Sequence, residues 1–339
     1  MKQLNGFQKG INFGGWLSQR RYDKEYLDTF ITEEDFKRVS EWGIDHIRLP
    51  LDYNVVETEE GEYKEEGFRY IENAILWSRK YGLNLLLDLH KTAGFIFDDP
   101  DYIGFFSDEA LQERFYRLWE QLATRFGKYD SVAFELLNEV TDPKFSDTWN
   151  KAARTAIKRI RACGAQNLII VGGYWNASID SIYDLEIPED KNVAFTFHCY
   201  DPLLFTHQSA YWVKEMPEDF HIAYPGKTAE YREKAQELGL AYMMDFKNIP
   251  TETITADLFI NRWARAVKYC EEHDLALYCG EYGVIDKAPT ADTLRWFRDI
   301  NEAFEHYNIG RAAWSYKEVD YGLIGEHYND IREDIIKLL

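Results

Sequence analysis

Asn84-Leu85-Leu86-Leu87-Asp88-Leu89-His90 is the stretch on which the fold turns. Three leucines in succession, with no polar residue between them, do not suit a strand with one wet face. They suit a short parallel strand covered on both sides. Leu168-Ile169-Ile170-Val171 repeats the pattern. Working outward, further short apolar runs bring the candidate strands to 10–13, 45–49, 84–89, 132–137, 167–171, 192–197, 276–280 and 310–314.

Amphipathic helices fill the intervals. Thr32 followed by Glu33-Glu34-Asp35 reads as an N-cap with an acidic first turn, leading to Phe36, Val39 and Trp42 before Gly43 stops the helix. Others are expected at 65–81, 108–126, 146–161, 256–272, 290–307 and 331–339. Strand then helix around the whole chain predicts the α/β class and a (β/α)8 TIM barrel, with a doubly wound open sheet as the alternative. The interval 201–255 breaks the rhythm and is too long for an unstructured loop. A helix at 230–238 suggests a small, partly helical subdomain inserted after strand six, on the carboxyl-terminal rim of one catalytic domain spanning 1–339.

The bulk composition narrows the function. Lys plus Arg total 39 against 59 Asp plus Glu, a formal charge of −20, which repels nucleic-acid phosphates and anionic lipid; neither partner is expected. Ten Trp and 23 Tyr offer flat faces for stacking on sugars, although many must be core. Cys163, Cys199, Cys270 and Cys279 match neither a zinc site nor a disulfide framework, so buried thiols are expected. Residues 1–10 carry no apolar leader and no run is long enough to span a membrane. The cellular address stays open between the cytoplasm and export with a signal removed, and a monomer is expected.

Barrel enzymes draw their chemistry from the carboxyl ends of strands. Arg48 lies on strand two and Asp88 and His90 at the end of strand three. Asn138-Glu139 follow strand four, His198-Cys199-Tyr200 follow strand six, Glu281 follows strand seven, and Trp314 ends strand eight. A carboxylate set directly behind Leu136-Leu137 or Tyr278-Cys279 is costly unless partnered. Two of them suit glycoside hydrolysis, in which one acid protonates the leaving oxygen and the other attacks the anomeric carbon. Burial near a negative neighbour would keep the first protonated, while Arg48 and a hydroxyl such as that of Tyr200 would keep the second charged.

The same residues carry a family likeness. Phe134-Glu135-Leu136-Leu137-Asn138-Glu139-Val140 resembles the Asn-Glu signature of glycoside hydrolase family 5, the cellulase family. Gly10-Ile11-Asn12-Phe13-Gly14-Gly15-Trp16, Ile47-Arg48-Leu49-Pro50, Leu87-Asp88-Leu89-His90, His198-Cys199-Tyr200, Gly280-Glu281-Tyr282-Gly283 and Trp314 match its other landmarks in order. Nearly the whole chain is covered, and the pattern is most similar to clostridial single-domain endoglucanases of the cellulase C type, with an extra subdomain after strand six. The resemblance implies a retaining endo-β-1,4-glucanase acting on cellulose-type and mixed-linkage β-glucans, with Glu139 as acid/base and Glu281 as nucleophile. It places Asn138 on the sugar 2-hydroxyl, His90 and His198 on hydroxyls or beside the carboxylates, Arg48 and Tyr200 beside Glu281, and Trp314 under the sugar. Lys91-Thr92-Ala93-Gly94 and Asn12-Phe13-Gly14-Gly15 depart from the commoner family patterns.

Plainer readings stand beside these. His90 and His198 could be core histidines, Arg48 a structural partner of Glu135 or Asp88, and Trp314 a core residue of strand eight. Trp16, Trp175 and Trp212 fall in rim loops and are not taken as sugar platforms; Trp77, Trp119 and Trp263 sit at core spacing on helices. The absence of His-x-His and of Gly-rich phosphate loops argues against a metal site or a nucleotide cofactor, and no cofactor is expected. A non-catalytic glucan-binding barrel would keep the aromatics and lose a carboxylate, yet both are present. β-Mannanase, xyloglucanase and exo-β-1,3-glucanase share the catalytic set and remain alternatives.

Overall fold

A computed structural model describes residues 1–244 and 251–339. Strands β1 (Lys9–Asn12), β2 (His46–Asp52), β3 (Asn84–Lys91), β4 (Val132–Glu135), β5 (Ile169–Gly172), β6 (Val193–His198), β7 (Ala276–Tyr282) and β8 (Gly310–Ala313) close into a barrel in sequence order. All neighbours are parallel, and β8 returns to β1 with Gly10 opposite Ala312. The (β/α)8 barrel is thus the observed architecture, and the open sheet is excluded.

Side chains alternate across a strand, so every second residue points into the barrel. Leu86, Ala133, Ile170, Ala194, Tyr278 and Ala312 pack together in its amino-terminal half, joined by Leu4 and Phe7. One inward position further along, Arg48, Asp88 and Glu135 are fully buried, and Asp88 lies opposite Glu135 in the sheet register. The intervening residues, such as Leu85, Leu87, Phe134 and Phe195, belong to the outer core. The barrel therefore has an apolar floor and a polar ceiling, and the ceiling faces the loops that follow the strands.

Several strand ends lie one to three residues from expectation, and two of them have clear local reasons. β2 continues through Pro50 to Asp52 because Arg48 O and Asp52 N both bond toward the β1 side, which places Pro50 on that side too. β1 has already ended at Asn12, so the missing N–H of Pro50 faces no strand carbonyl. β4 stops at Glu135, short of 137. Leu136 N still bonds to Ile170 O, but Asn138 N turns to Leu89 O on β3, and this crossing carries Asn138 and Glu139 out over the barrel mouth.

Helices Glu33–Ser40, Glu65–Lys80, Glu109–Phe126 and Ser146–Ala162 follow the first four strands. Ala256–Glu272, Thr290–Tyr307 and Arg332–Ile336 follow the last three. The Thr32 backbone N–H donates to Asp35 at 2.8 Å, half of a reciprocal capping box that starts the first of these. The fifth unit has no long α-helix, only a single helical turn at Tyr174–Ala177 with left-handed backbone inside it and a 3-10 helix at Ile179–Asp184, whose buried Ile179 and Ile182 share one face at its three-residue repeat. Residues 201–255 carry short helices at Leu203–Thr206 and Ala241–Met244, a longer one at Thr228–Glu237, and a bridge between Lys227 and Thr253. Within that expected insertion, 245–250 lie outside the described residues.

Trp16 is a correction. It is buried in the core rather than lying on the rim, its indole N–H donates to Leu27 O at 2.9 Å, and it stacks on Trp77. Cys199, Cys270 and Cys279 are buried free thiols, whereas Cys163 is exposed. Among the described residues no helix is long and apolar enough to cross a membrane.

Candidate active site

Arg48 organises the polar ceiling. Its Nε and Nη2 donate to the two oxygens of Glu135 at 2.7 and 3.1 Å, and Nη1 donates to Glu281 Oε1 at 2.8 Å and Asn12 Oδ1 at 3.0 Å. Nη2 also meets Asn138 Oδ1 at 2.8 Å and Asp88 Oδ2 at 3.0 Å. Burial alone would discourage a charge here, but Asp88, Glu135 and Glu281 together outweigh it and hold the guanidinium protonated. Arg48 is thus the structural partner of both Glu135 and Asp88, and the same side chain ties these two buried acids to Glu281.

Glu281 lies on β7 with both oxygens occupied, Oε1 by Arg48 and Oε2 by the Tyr200 hydroxyl at 2.9 Å. Burial, then the charge of Glu281, pushes the Tyr200 phenol well above its ordinary value, so it stays a donor. His198 is the cross-strand partner of Glu281 at a register shift between β6 and β7. The approach is close enough that a Cβ on Gly280 would come within 2.9 Å of His198 Nε2. This accounts for glycine before Glu281.

Glu139 stands across the mouth. Its Oε1 meets His198 Nδ1 at 2.7 Å and its Oε2 accepts from Asn176 Nδ2 at 2.9 Å. Burial raises the Glu139 carboxyl above its ordinary value; the Asn176 amide, His90 and Arg48 oppose the shift. Burial is the main cause, as expected, and the negative neighbour, Asp98, adds least to it. Burial lowers His198 to about 4, so its ring is neutral at pH 7. A neutral imidazole can accept a proton-bearing Glu139 or donate to an ionised one, and the contact serves either state of the acid.

His90 Nδ1 lies 2.7 Å from Asp88 Oδ2, and its ring is parallel to Trp314, with centroids 5.8 Å apart. Burial lowers His90 to about 4 and raises Asp88 to about 7, the latter despite Arg48. Trp314 is only 6% exposed, and a Cβ on Gly14 would come within 2.7 Å of its ring. Asn138 turns its oxygen to Arg48, which leaves its amide nitrogen buried without a protein partner; His90 Nε2 is in the same state. All eight residues singled out from the sequence therefore gather at one barrel mouth. Asn12, which donates to Gly280 O at 2.9 Å, and Asn176 join them without having been singled out.

Exposed aromatics border the mouth. Trp212, from 201–255, lies 6.0 Å from the His207 ring, which packs edge-on against Tyr200. Trp212 and Trp175 are 43% and 48% exposed, unlike Trp16. One oxygen each of Glu139 and Glu281 and one nitrogen of His198 lie within 4.8 Å of one another. Of the three, Glu281 is already paired with the Arg48 guanidinium.

A closed barrel with two buried acids facing each other among sugar-sized amide, imidazole and indole groups defines a barrel glycoside hydrolase. The cellulase family, glycosyl hydrolase family 5, matches residues 5–320, and the chain belongs to it. Cellodextrinase A of Ruminococcus flavefaciens is 41% identical over 92% of this chain and 86% of its own length. Endoglucanase C of Acetivibrio thermocellus is 36% identical over 98% of both. Among solved structures, the clostridial cellulose synthase subunit Z of Clostridioides difficile superposes with a TM-score of 0.77 at 25% identity, covering 98% of this chain and 99% of that one. Endoglucanase Cel5A of Thermotoga maritima gives 0.75 at 23% identity over 98% and 97%, a likeness of fold. The chain is thus a glycoside hydrolase of the endoglucanase type, and its substrate class is β-glucan.

Proposed function

We propose that this enzyme cleaves internal β-1,4 bonds of cellulose-type and mixed-linkage β-glucans by double displacement. The observation that carries the double displacement is the approach of a Glu139 oxygen to a Glu281 oxygen within 4.8 Å, and the internal β-1,4 cleavage rests on the likeness to endoglucanases. Retaining enzymes hold their carboxyl groups about 5–5.5 Å apart, whereas inverting ones leave about 6.5–9.5 Å for a water. Glu281, whose oxygens accept from Arg48 and Tyr200, attacks the anomeric carbon as Glu139 gives its proton to the departing glycosidic oxygen. Glu139, now ionised, takes a proton from the water that displaces Glu281. Asn138, its oxygen fixed by Arg48, offers its N–H to the 2-hydroxyl as positive charge develops on the ring.

Glu139→Ala tests the acid/base role. Cleavage of polysaccharide falls by about 10²–10⁴. Glycosylation by an aryl glycoside with a readily departing phenol falls far less, because that leaving group needs no proton. The basic limb of the kcat/KM profile, set by the raised carboxyl of Glu139, disappears. Equal losses on both substrates would remove Glu139 from this role.

The relationship to a cellodextrinase favours a second reading, preference for short soluble oligosaccharides. Carboxymethyl-cellulose separates the two. Internal cleavage drops its viscosity long before reducing ends accumulate, and that is the expected course. Reducing ends appearing in step with viscosity loss, with rapid hydrolysis of cellotetraose, would favour the second.

A further inference from the structure

Glu139 has a partner delivered by an unusual backbone. After Gly172 and Gly173 the chain passes through Trp175, Asn176 and Ala177 with φ of 51°, 55° and 54°, three consecutive non-glycine residues in the left-handed region. Each such residue costs about 1–2 kcal/mol, although asparagine tolerates the conformation better than most. The run makes a two-point clamp. The Asn176 backbone N–H donates to Val140 O at 3.0 Å, and its side-chain amide donates to Glu139 Oε2 at 2.9 Å. Val140 directly follows Glu139, so one residue grips both the backbone and the carboxyl group. On the other side, His198 Nδ1 meets Oε1 at 2.7 Å.

We infer that Asn176 is a positioning residue: the left-handed run after β5 exists to hold the Glu139 carboxyl in the plane from which its proton reaches the leaving oxygen. The inference rests on the acid/base reading of Glu139. The ionisable groups around that carboxyl are Arg48 from β2, Asp88 and His90 from β3, Asp98 from the following loop, His198 and Tyr200 from β6 and the segment after it, and Glu281 from β7. None lies on the run itself. The Asn176 amide therefore acts as a neutral donor that favours the ionised carboxyl and opposes the effect of burial. It sharpens Glu139 as an acid in the first step and stabilises the carboxylate that waits for water in the second.

Asn176→Gly removes the amide while keeping a residue at home at φ 55°. Turnover of an unactivated cello-oligosaccharide should fall roughly tenfold, the value of one hydrogen bond to a charged group. Glycosylation by the activated aryl glycoside should change less than about twofold, because it bypasses the proton. The basic limb of kcat/KM should move to higher pH. Asn176→Ala, which adds backbone strain to the same loss, should place the limb where the glycine variant does. Equal losses on both substrates with an unmoved limb would reduce Asn176 to a structural role. Glu139→Ala run alongside separates the two failures. If Glu139→Ala keeps the basic limb, the acid/base reading falls. If it loses the limb while Asn176→Gly leaves it in place, only the positioning role falls.

Discussion

Glu281→Ala should lose turnover by a factor on the order of 10⁵–10⁶, the scale seen when a covalent nucleophile is deleted. The truncated side chain leaves room where the carboxylate stood, beside Arg48 and the Tyr200 hydroxyl. Azide, a small anion, can occupy that space. With an activated aryl β-glycoside it should restore measurable turnover by attacking the anomeric carbon itself, and the product should be the glycosyl azide of inverted configuration. The fold should survive, because Arg48 keeps its paired contact with Glu135 and its contact with Asp88. A near-normal rate without azide, or a rescued product of retained configuration, would remove Glu281 from the nucleophile's place.

Arg48→Met should act on folding as strongly as on catalysis. Breaking one buried ion pair typically costs about 3–5 kcal/mol, because the remaining charge is left desolvated, and Arg48 serves three acids. Its loss should therefore lower stability by at least that amount at pH 8. The sign of the pH dependence follows from burial. Asp88 is raised to about 7 and Glu135 is raised as well, even with Arg48 present. An acid raised in the fold gives its full stabilisation below the unfolded carboxylate pKa near 4, and loses it as pH rises through the folded value. Without the guanidinium both acids should rise further. The deficit against wild type should shrink as the pH falls from 8 toward 5, measured by denaturant unfolding. A deficit that grows on acidification would contradict this account. Arg48→Lys, which keeps the charge but not the fork, should fall between the two.

Much of this was legible in the chain because the barrel puts polar groups where only a site would tolerate them. The unbroken apolar runs at β3 and β5 declared strands covered on both faces, and Arg48, Asp88, His90, Glu139, His198 and Glu281 stood out against them. The polar ends of neighbouring strands meet in space for the same reason that they align in register. The unread parts depend on particular hydrogen bonds. No periodicity tells that Asn138 N crosses to Leu89 O and ends β4 early. Asn176 was hidden because non-glycine residues gave no sign of a left-handed run. The fifth unit offered no long helical pattern, and only a four-residue turn and a 3-10 helix formed there. Trp16 looked like a loop aromatic because the partner that buries it, Trp77, is remote in sequence.

The crowding of acids around one arginine also decides what kind of impostor the mouth would admit. Asp88, Glu135, Glu139 and Glu281 share the polar ceiling with the Arg48 guanidinium. A neutral sugar gains little from such a field. A flattened ring bearing a positive charge where the anomeric carbon would sit gains a great deal, since it presents the charge that the sugar acquires only fleetingly. Basic nitrogen-containing sugar mimics should therefore give lower inhibition constants than neutral lactams of the same shape.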